Sequence, residues 1–230
     1  REFEDSFREL RAQWLRKRVL EPLRDDIIRF IDAAGGAISA DDLSREVLGH
    51  RGSVLTGRQR KAAASLVTHA AVEAELGSDA PRLQIRRRED SAQTFVGTRP
   101  ELLQLLGNLG ALADRLAAED PLASPERAYK EISALIGDAG LDILPRHRAL
   151  ALAAAASNTA ARSPRDELYP RDMPAERALT LCANILLRQA PIDAETLRNN
   201  VHDRYPEAQK LPDRPELDQM LSAAGVALKW

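Results

Sequence analysis

A ten-residue pattern that occurs twice constrains the fold of this chain more than any other feature of its sequence. Residues 38–47 read ISADDLSREV, and residues 192–201 read IDAETLRNNV. Each copy begins with Ile, continues with Ser or Asp, and carries a Leu and a Val at helical spacing, which is typical of a capped helix with one buried face. The copies lie too far apart for a solenoid repeat, so the pattern predicts one structural unit built twice. Coincidence is the alternative, because capped helices are common.

The residues before and within the first copy predict two helices. Apolar side chains recur at helical spacing over residues 7–30, with a break into two helices left open at Pro22. The glycine pair at 35–36 ends this stretch. Ser39 then caps the next helix, and Asp42 stands in the position of a capping-box partner.

A third helix and a β-hairpin are expected next. Thr56 can cap a helix over about residues 57–76. The stretches LQIRRRED and AQTFVGT alternate in polarity around a turn near Asp90, which predicts a hairpin over 83–96. Three helices followed by a hairpin is the order of elements in a winged helix-turn-helix.

The remainder of the chain predicts more helices and a second unit. Helices are expected from Pro100, after Ser124 and over 144–160, whereas residues 162–174, with three prolines, predict a loop. The second copy lies between two helical stretches, ahead of VALKW, which looks like the start of a strand. The predicted fold is mainly α, with two winged helix-turn-helix units joined by a helical bundle. The expected segments are an N-terminal helical segment at 1–34 that runs into helix one, a first unit at 22–98, a linker bundle at 100–173 and a truncated second unit at 174–230.

Composition narrows the class of protein. Aromatic residues make up only 4% of the chain, so its core must consist of Leu, Ala, Ile and Val, a composition that favours helices. No apolar run approaches the roughly 20 residues that span a membrane, and no signal peptide is visible, which predicts a cytoplasmic protein. The single cysteine, Cys182, excludes an internal disulfide and a thiolate zinc site and is expected to be a buried structural thiol.

No catalytic motif is present in the sequence. The glycine pair at 35–36 lacks the spacing and the lysine of a phosphate-binding loop, and no serine lies in a nucleophile-elbow pattern. The four histidines show no ligand spacing. The HDR at 202–204 is not followed by the asparagine and metal-binding motif of a kinase catalytic loop. The sequence predicts no enzyme activity, metal or cofactor in this segment.

Two stretches in the C-terminal half resemble a known family. They read SPERAYKEISAL, continued by DELYPRDMPAERAL, and DRYPEAQKLPDRPELDQMLSAAGVALKW. Both resemble the region outside the catalytic domain of W-type serine/threonine kinases from the phage growth limitation and BREX systems of bacteria. The resemblance is best over residues 121–230 and implies a non-catalytic segment of a multidomain antiphage protein. The start without Met and the incomplete final strand also indicate a piece of a larger protein.

Basic residues cluster where a winged helix-turn-helix meets DNA. In such folds the N-terminal residues of helix three approach the bases, and a glutamine there can read an adenine edge. The net charge of −2 gives no global attraction to nucleic acid, so binding would depend on this local cluster. The alternative is that these arginines only solvate an exposed helix and hairpin. The predicted contacts to double-stranded DNA are Arg51, Arg58, Gln59, Arg60 and Lys61 around helix three, and Arg82, Arg86, Arg87 and Arg88 in the hairpin.

The second unit is expected to act differently. Its third helix reads DRPELDQML, which is net acidic and would repel phosphate. The alternative function for the chain is therefore a protein-interaction scaffold that positions a kinase on other defence proteins. The N-terminal apolar stripe is expected to pack within the chain, with a homodimer seam or a connection to an upstream kinase as the alternatives.

Overall fold

The structure, a computed structural model, describes residues 21–51, 57–87, 93–188 and 192–225. These residues form ten helices and five short strands, which confirms the mainly helical class. In chain order the elements are α1 Glu21–Ala33, β1 Ala37–Ser39, α2 Ala40–Arg51, α3 Gly57–Leu76, β2 Gln84–Arg87, β3 Thr94–Gly97, α4 Pro100–Gln104, α5 Leu106–Ala117, α6 Pro125–Asp138, α7 Arg146–Ala156, β4 Ala160–Arg162, β5 Leu168–Pro170, α8 Ala175–Arg188, α9 Ala194–Arg204 and α10 Glu216–Ala223.

The chain divides into two compact units. The first contains the chain up to Leu106 together with 140–148, and the second contains 107–139 together with the chain from Ala149 onward. Each unit has its own apolar core, and each core contains one copy of the repeated pattern. The predicted N-terminal helix before residue 21, the Thr56 cap, the hairpin turn near Asp90 and the strand at 226–230 lie outside the described residues.

The first unit combines helices α1 to α4 with a small antiparallel sheet. Strand β3 pairs with β1 on one side and with β2 on the other, so the sheet order is β1-β3-β2. Gly35 and Gly36 have φ angles of 101° and 102°, in the left-handed region that favours glycine, and they turn the chain from α1 into β1. The Gly36 carbonyl then accepts the N–H groups of Thr98 and Arg99 at the end of β3. The predicted end of the helix and the predicted hairpin are both confirmed.

The two copies of the repeated pattern form the same local structure. Ser39 Oγ accepts the N–H of Asp42 at 3.1 Å, and Asp193 Oδ1 accepts the N–H of Thr196 at 2.8 Å, so the second residue of each copy caps a helix. In the first copy the Asp42 carboxylate accepts the Ser39 hydroxyl at 2.6 Å. The apolar residues of both copies are buried, namely Ile38, Leu43 and Val47 in the first core and Ile192, Leu197 and Val201 in the second.

The structure corrects the prediction for residues 144–174. The expected helix over 144–160 ends at Ala156, and the expected proline-containing loop holds a hairpin in which β4 pairs antiparallel with β5. Asp114 on α5 explains the early helix end. Its carboxylate accepts the Thr159 N–H at 2.9 Å and the Thr159 hydroxyl at 2.6 Å, and it also accepts the Ser157 hydroxyl. These bonds hold a turn where alanine-rich sequence alone favours more helix.

Candidate nucleic-acid interface

Strand β2 carries two exposed arginines, Arg86 and Arg87. All four of its residues are exposed, and it lies at an edge of the three-stranded sheet. Arg86 pairs in register with Phe95 of β3, and Arg87 with Thr94. Within the described residues, neither Arg86 nor Arg87 has a side-chain hydrogen bond or ion pair. Strand β2 therefore presents two positive charges that have no ion pair among the described residues.

Arg82, at the entry to the same hairpin, has intramolecular partners instead. Its guanidinium donates two hydrogen bonds to the Glu75 carboxylate, at 2.8 and 2.9 Å, and a third to Asp25 at 2.9 Å. Its backbone N–H also donates to Glu75 at 3.1 Å. Arg24 on α1 donates to the same Glu75 carboxylate at 2.8 Å. This network, hereafter the Glu75 network, ties α1, α3 and the start of β2 together.

Glu75 is the centre of that network and is 1% exposed. The hydrogen bonds from Arg82 outweigh the cost of burial and, with Arg24, lower the pKa of Glu75 to about 2. The same contacts raise the pKa of Arg82, so both groups are charged across the physiological range. Sequence reasoning missed Glu75, because a glutamate in the last turn of a helix gives no signal that arginines from two other elements will surround it.

The other predicted contact residues lie at the start of α3 and at its neighbours. Arg58, Gln59, Arg60 and Lys61 occupy the first turn and a half of α3, and Arg51 ends α2. Their side chains lie outside the described set, and so does Arg88 as a whole. Further along α3, one exposed stripe runs at helical spacing, through Ala62, Ser65, Leu66, His69 and Glu73. Leu66 in this stripe is 70% exposed.

In the second unit, the helix that corresponds to α3 is α10. The negative charge around it is smaller than its sequence suggests, because two of the carboxylates there have arginine partners. Asp213, just before it, forms an ion pair with Arg198 of α9. Asp218 pairs with Arg214 at 2.9 Å. Among the described residues, Glu216 has no ion pair. Two of the three carboxylates expected to repel phosphate are therefore partly neutralised within the unit.

A partly buried ion pair lies in the second unit. Arg204 of α9 donates to the Glu167 carboxylate at 2.6 and 3.2 Å and to the Leu181 carbonyl at 3.2 Å. Burial raises the pKa of Glu167, but the hydrogen bond and charge of Arg204 outweigh it and the pKa is lowered. Burial also raises the pKa of the nearby Tyr205 and Cys182. The thiol is buried, as its apolar sequence context predicted.

The described residues were also compared with the requirements of a metal site and of a membrane-spanning helix. No group of three or more His, Cys, Asp or Glu side chains there is arranged to hold a metal ion. None of the described helices has both the length and the apolar content to cross a membrane.

Comparison with known proteins connects the chain to one curated relative. It is similar to the Probable kinase PglW of Streptomyces coelicolor. The two sequences are 32% identical over an alignment of 259 positions, which covers 95% of this chain. The chain spans only 16% of that relative's length. No family model matches the chain, and no solved structure matches it. The resemblance to phage growth limitation kinases is thus confirmed as similarity to a segment of one such protein, while the BREX link and the non-catalytic role stay predictions.

Proposed function

We propose that this chain is a non-catalytic segment of a larger phage-defence protein and that its first unit binds double-stranded DNA as a winged helix-turn-helix. The similarity to a segment of PglW supports the defence context. The order α1-β1-α2-α3-β2-β3, with sheet order β1-β3-β2, supports the winged architecture. In that architecture α3 is the recognition helix, which enters the major groove, and the β2–β3 hairpin is the wing beside it.

The single observation that carries the proposal is the pair of exposed arginines on β2. Elsewhere in the first unit, arginines are used internally: Arg24 and Arg82 bind Glu75, and Arg148 binds Glu46 at 3.1 Å. Arg86 and Arg87 have no such partner among the described residues. An arginine without an internal carboxylate keeps its full attraction for a phosphate, because no intramolecular ion pair has to be broken first.

Helical periodicity selects among the residues of the recognition helix. Positions 58 and 59 lie four and three residues before Ala62, so helical periodicity puts them on the same face of α3 as Ala62, whereas position 60 falls on a different face. Arg58 and Gln59 are therefore proposed to approach the bases, and Arg51, Arg60, Lys61 and Arg88 to contact flanking phosphates. Arg82 is assigned a different role, since its guanidinium is occupied by Glu75 and Asp25: it anchors the wing.

A duplex titration tests this proposal. Fluorescence anisotropy of a labelled DNA duplex would be followed against the folded 230-residue chain at several salt concentrations. Half-saturation is expected at about 1 µM protein at low salt. A plot of log affinity against log salt concentration should have a slope between about −3 and −6, because each neutralised phosphate contributes about −0.9. A folded chain that leaves the duplex free at low salt would refute DNA binding.

The second candidate function is a protein-interaction scaffold for other defence proteins. The observation that favours it lies in the second unit, where a small cavity is lined by Arg165 and Asp203, whose side chains have no ion pair among the described residues. The two functions occupy different units and are compatible in one chain. A homodimer seam through residues 7–20 remains a proposal, because it lies outside the described residues.

A further inference from the structure

A cavity of about 230 Å³ lies in the second unit, between the β4–β5 loop and the helices α8 and α9. Its floor is apolar: Cys182 and Leu186 line it, and both are buried. Burial raises the pKa of the Cys182 thiol, so the thiol is neutral and behaves as an apolar surface. No residue of the proposed DNA interface contributes to this cavity.

Charged side chains of opposite sign stand at the rim. Arg165, from the β4–β5 loop, and Asp203, from the last turn of α9, line the cavity and are exposed. Among the described residues, neither side chain has a hydrogen bond or an ion pair. Most other arginines of this unit do have carboxylate partners, such as Arg162 with Asp166 and Arg198 with Asp213. The rim therefore offers one free guanidinium and one free carboxylate.

The wall between floor and rim is fixed before any ligand arrives. Arg204 lines the cavity while its guanidinium bonds to Glu167 at 2.6 Å and to the Leu181 carbonyl at 3.2 Å. The Arg204 guanidinium also lies 5.2 Å from the centre of the Tyr205 ring. A wall held by these contacts needs little ordering on binding, which favours affinity.

The volume decides what kind of occupant fits. A cavity of about 150 Å³ is enough to hold a benzene molecule, so 230 Å³ accommodates one aromatic or branched aliphatic side chain. Sites for whole small-molecule ligands generally start at about 300 Å³. One side chain of a larger partner is thus a better match than a free metabolite, and the rim charges would meet the residues that flank it.

We propose that this cavity is a docking site for a peptide segment of a partner protein, which inserts one aromatic or branched aliphatic side chain above Cys182 and Leu186. An acidic residue on one flank of that side chain pairs with Arg165, and a basic residue on the other flank pairs with Asp203. The apolar anchor provides most of the affinity, and the two rim charges set the direction of the peptide.

A displayed library of short random peptides, selected on the whole 230-residue chain, tests the proposal. The expected product is a set of peptides with one large apolar residue between an acidic and a basic residue. Their affinity, measured by fluorescence anisotropy, should fall about 30-fold in Leu186→Trp, which fills the cavity. It should fall about fivefold in Asp203→Arg, a surface change that leaves the core intact. Glu195→Arg, on the exposed face of the same helix, is the matched control and should change little.

A charge-swapped chain gives the decisive readout. Selection on Arg165→Glu/Asp203→Arg should enrich peptides in which the acidic and basic flanks have exchanged places, whereas Glu195→Arg/Lys210→Glu should enrich the original order. A purely structural role for these two residues would not reverse a ligand's charge order. Failure to enrich any shared motif, or a motif that ignores the swap, would overturn the proposal. Neither result depends on whether the first unit binds DNA.

Discussion

The two units contain the same capped helix but place their charged residues differently. In the second unit, Arg198 and Arg214 pair with Asp213 and Asp218, and Arg204 pairs with Glu167, whereas Arg165 and Asp203, which have no ion pair among the described residues, lie at a cavity. In the first unit, Glu75 pairs with Arg24 and Arg82, while Arg86 and Arg87, on an edge strand, have no ion pair among the described residues. The repeated pattern specifies a cap and two buried residues, and the surface chemistry depends on residues outside it. The comparison indicates that a shared fold element does not carry a shared function.

Reversal of charge on the recognition helix is expected to have the largest effect. In Arg58→Glu/Arg60→Glu/Lys61→Glu, three attractions to the negatively charged duplex of about 1 kcal/mol each become repulsions of similar size, so the binding free energy should weaken by roughly 6 kcal/mol and binding should escape detection. The matched control is Lys130→Glu/Arg165→Glu/Lys210→Glu in the second unit, which changes the net charge equally. If both triple variants lost duplex binding alike, net charge and not this helix would be responsible.

Acid should destabilise the first unit through Glu75, and the second unit through Glu167, whose pKa is also lowered. Glu75 has a pKa of about 2 in the folded chain against an ordinary value of 4.5, so its stabilising contribution is complete above about pH 4.5 and is lost as the pH falls towards 2. The contribution amounts to roughly 3 kcal/mol. Hydrogen exchange of α3, compared with that of α8 between pH 6 and pH 3, measures the loss in each unit. For Glu75, the upper value lies above this titration, and the lower value lies inside it, where much of the contribution is already lost.

Glu75→Gln is the control for that titration. The amide cannot titrate, so exchange of α3 in this variant should be faster at neutral pH and should depend less on acid. An α3 helix that kept the same acid sensitivity without Glu75 would assign the effect to other carboxylates.

Removal of either helix cap should lower the free energy of unfolding by a similar amount. Ser39→Ala and Asp193→Ala each delete the side-chain acceptor for the N–H of the third helical residue, which typically destabilises by about 1 kcal/mol. Urea unfolding of each variant measures the loss. Thr180→Ala is a control on an exposed helical surface, where the hydroxyl only bonds to the preceding turn. A cap that proved neutral in one copy alone would weaken the case for duplication.

The smallest expected effect concerns the acidic helix of the second unit. Asp213→Ala/Glu216→Ala/Asp218→Ala should leave duplex affinity unchanged or slightly stronger, because these residues lie in the unit that is not proposed to bind DNA. The internal ion pairs of Asp213 and Asp218 limit any gain. A loss of duplex binding by a folded variant would show that the second unit takes part.

Periodicity and turn chemistry were sufficient to predict helices α1 to α3 and the hairpin of the first unit, but not the short strand β1. The glycine pair at 35–36, the Ser39 cap, the span of α3 and the hairpin all follow from short-range rules, and the structure confirms each of them. The Ser124 cap of α6 was equally readable, with its Oγ accepting the Arg127 N–H at 3.3 Å. These features depend on residues within a few positions of each other.

Polar contacts between residues far apart in the chain could not be predicted from the sequence. Asp114, whose hydrogen bonds hold the turn after α7, bonds to Thr159, which lies 45 residues further along the chain. Glu75 bonds to Arg24, which lies 51 residues earlier. The β4–β5 hairpin was missed because its prolines read as a loop, whereas Pro170 lies at the end of a strand in a two-stranded sheet. For the candidate site, sequence predicted where the arginines cluster, but not that Arg82 has internal partners while Arg86 and Arg87 do not.

The most direct test of the central claim compares salt dependence between the two units. Arg86→Ala/Arg87→Ala/Arg88→Ala removes the wing charges, and Lys130→Ala/Arg165→Ala/Lys210→Ala removes three basic residues from the second unit. If the first unit reads duplex DNA, the wing variant should bind with a log–log salt slope that is shallower by about 2 to 3, since each lost phosphate contact removes about 0.9, and the second variant should keep the slope of the unmodified chain. Equal slopes in the wing variant and the unmodified chain would contradict the proposal that the wing contacts DNA.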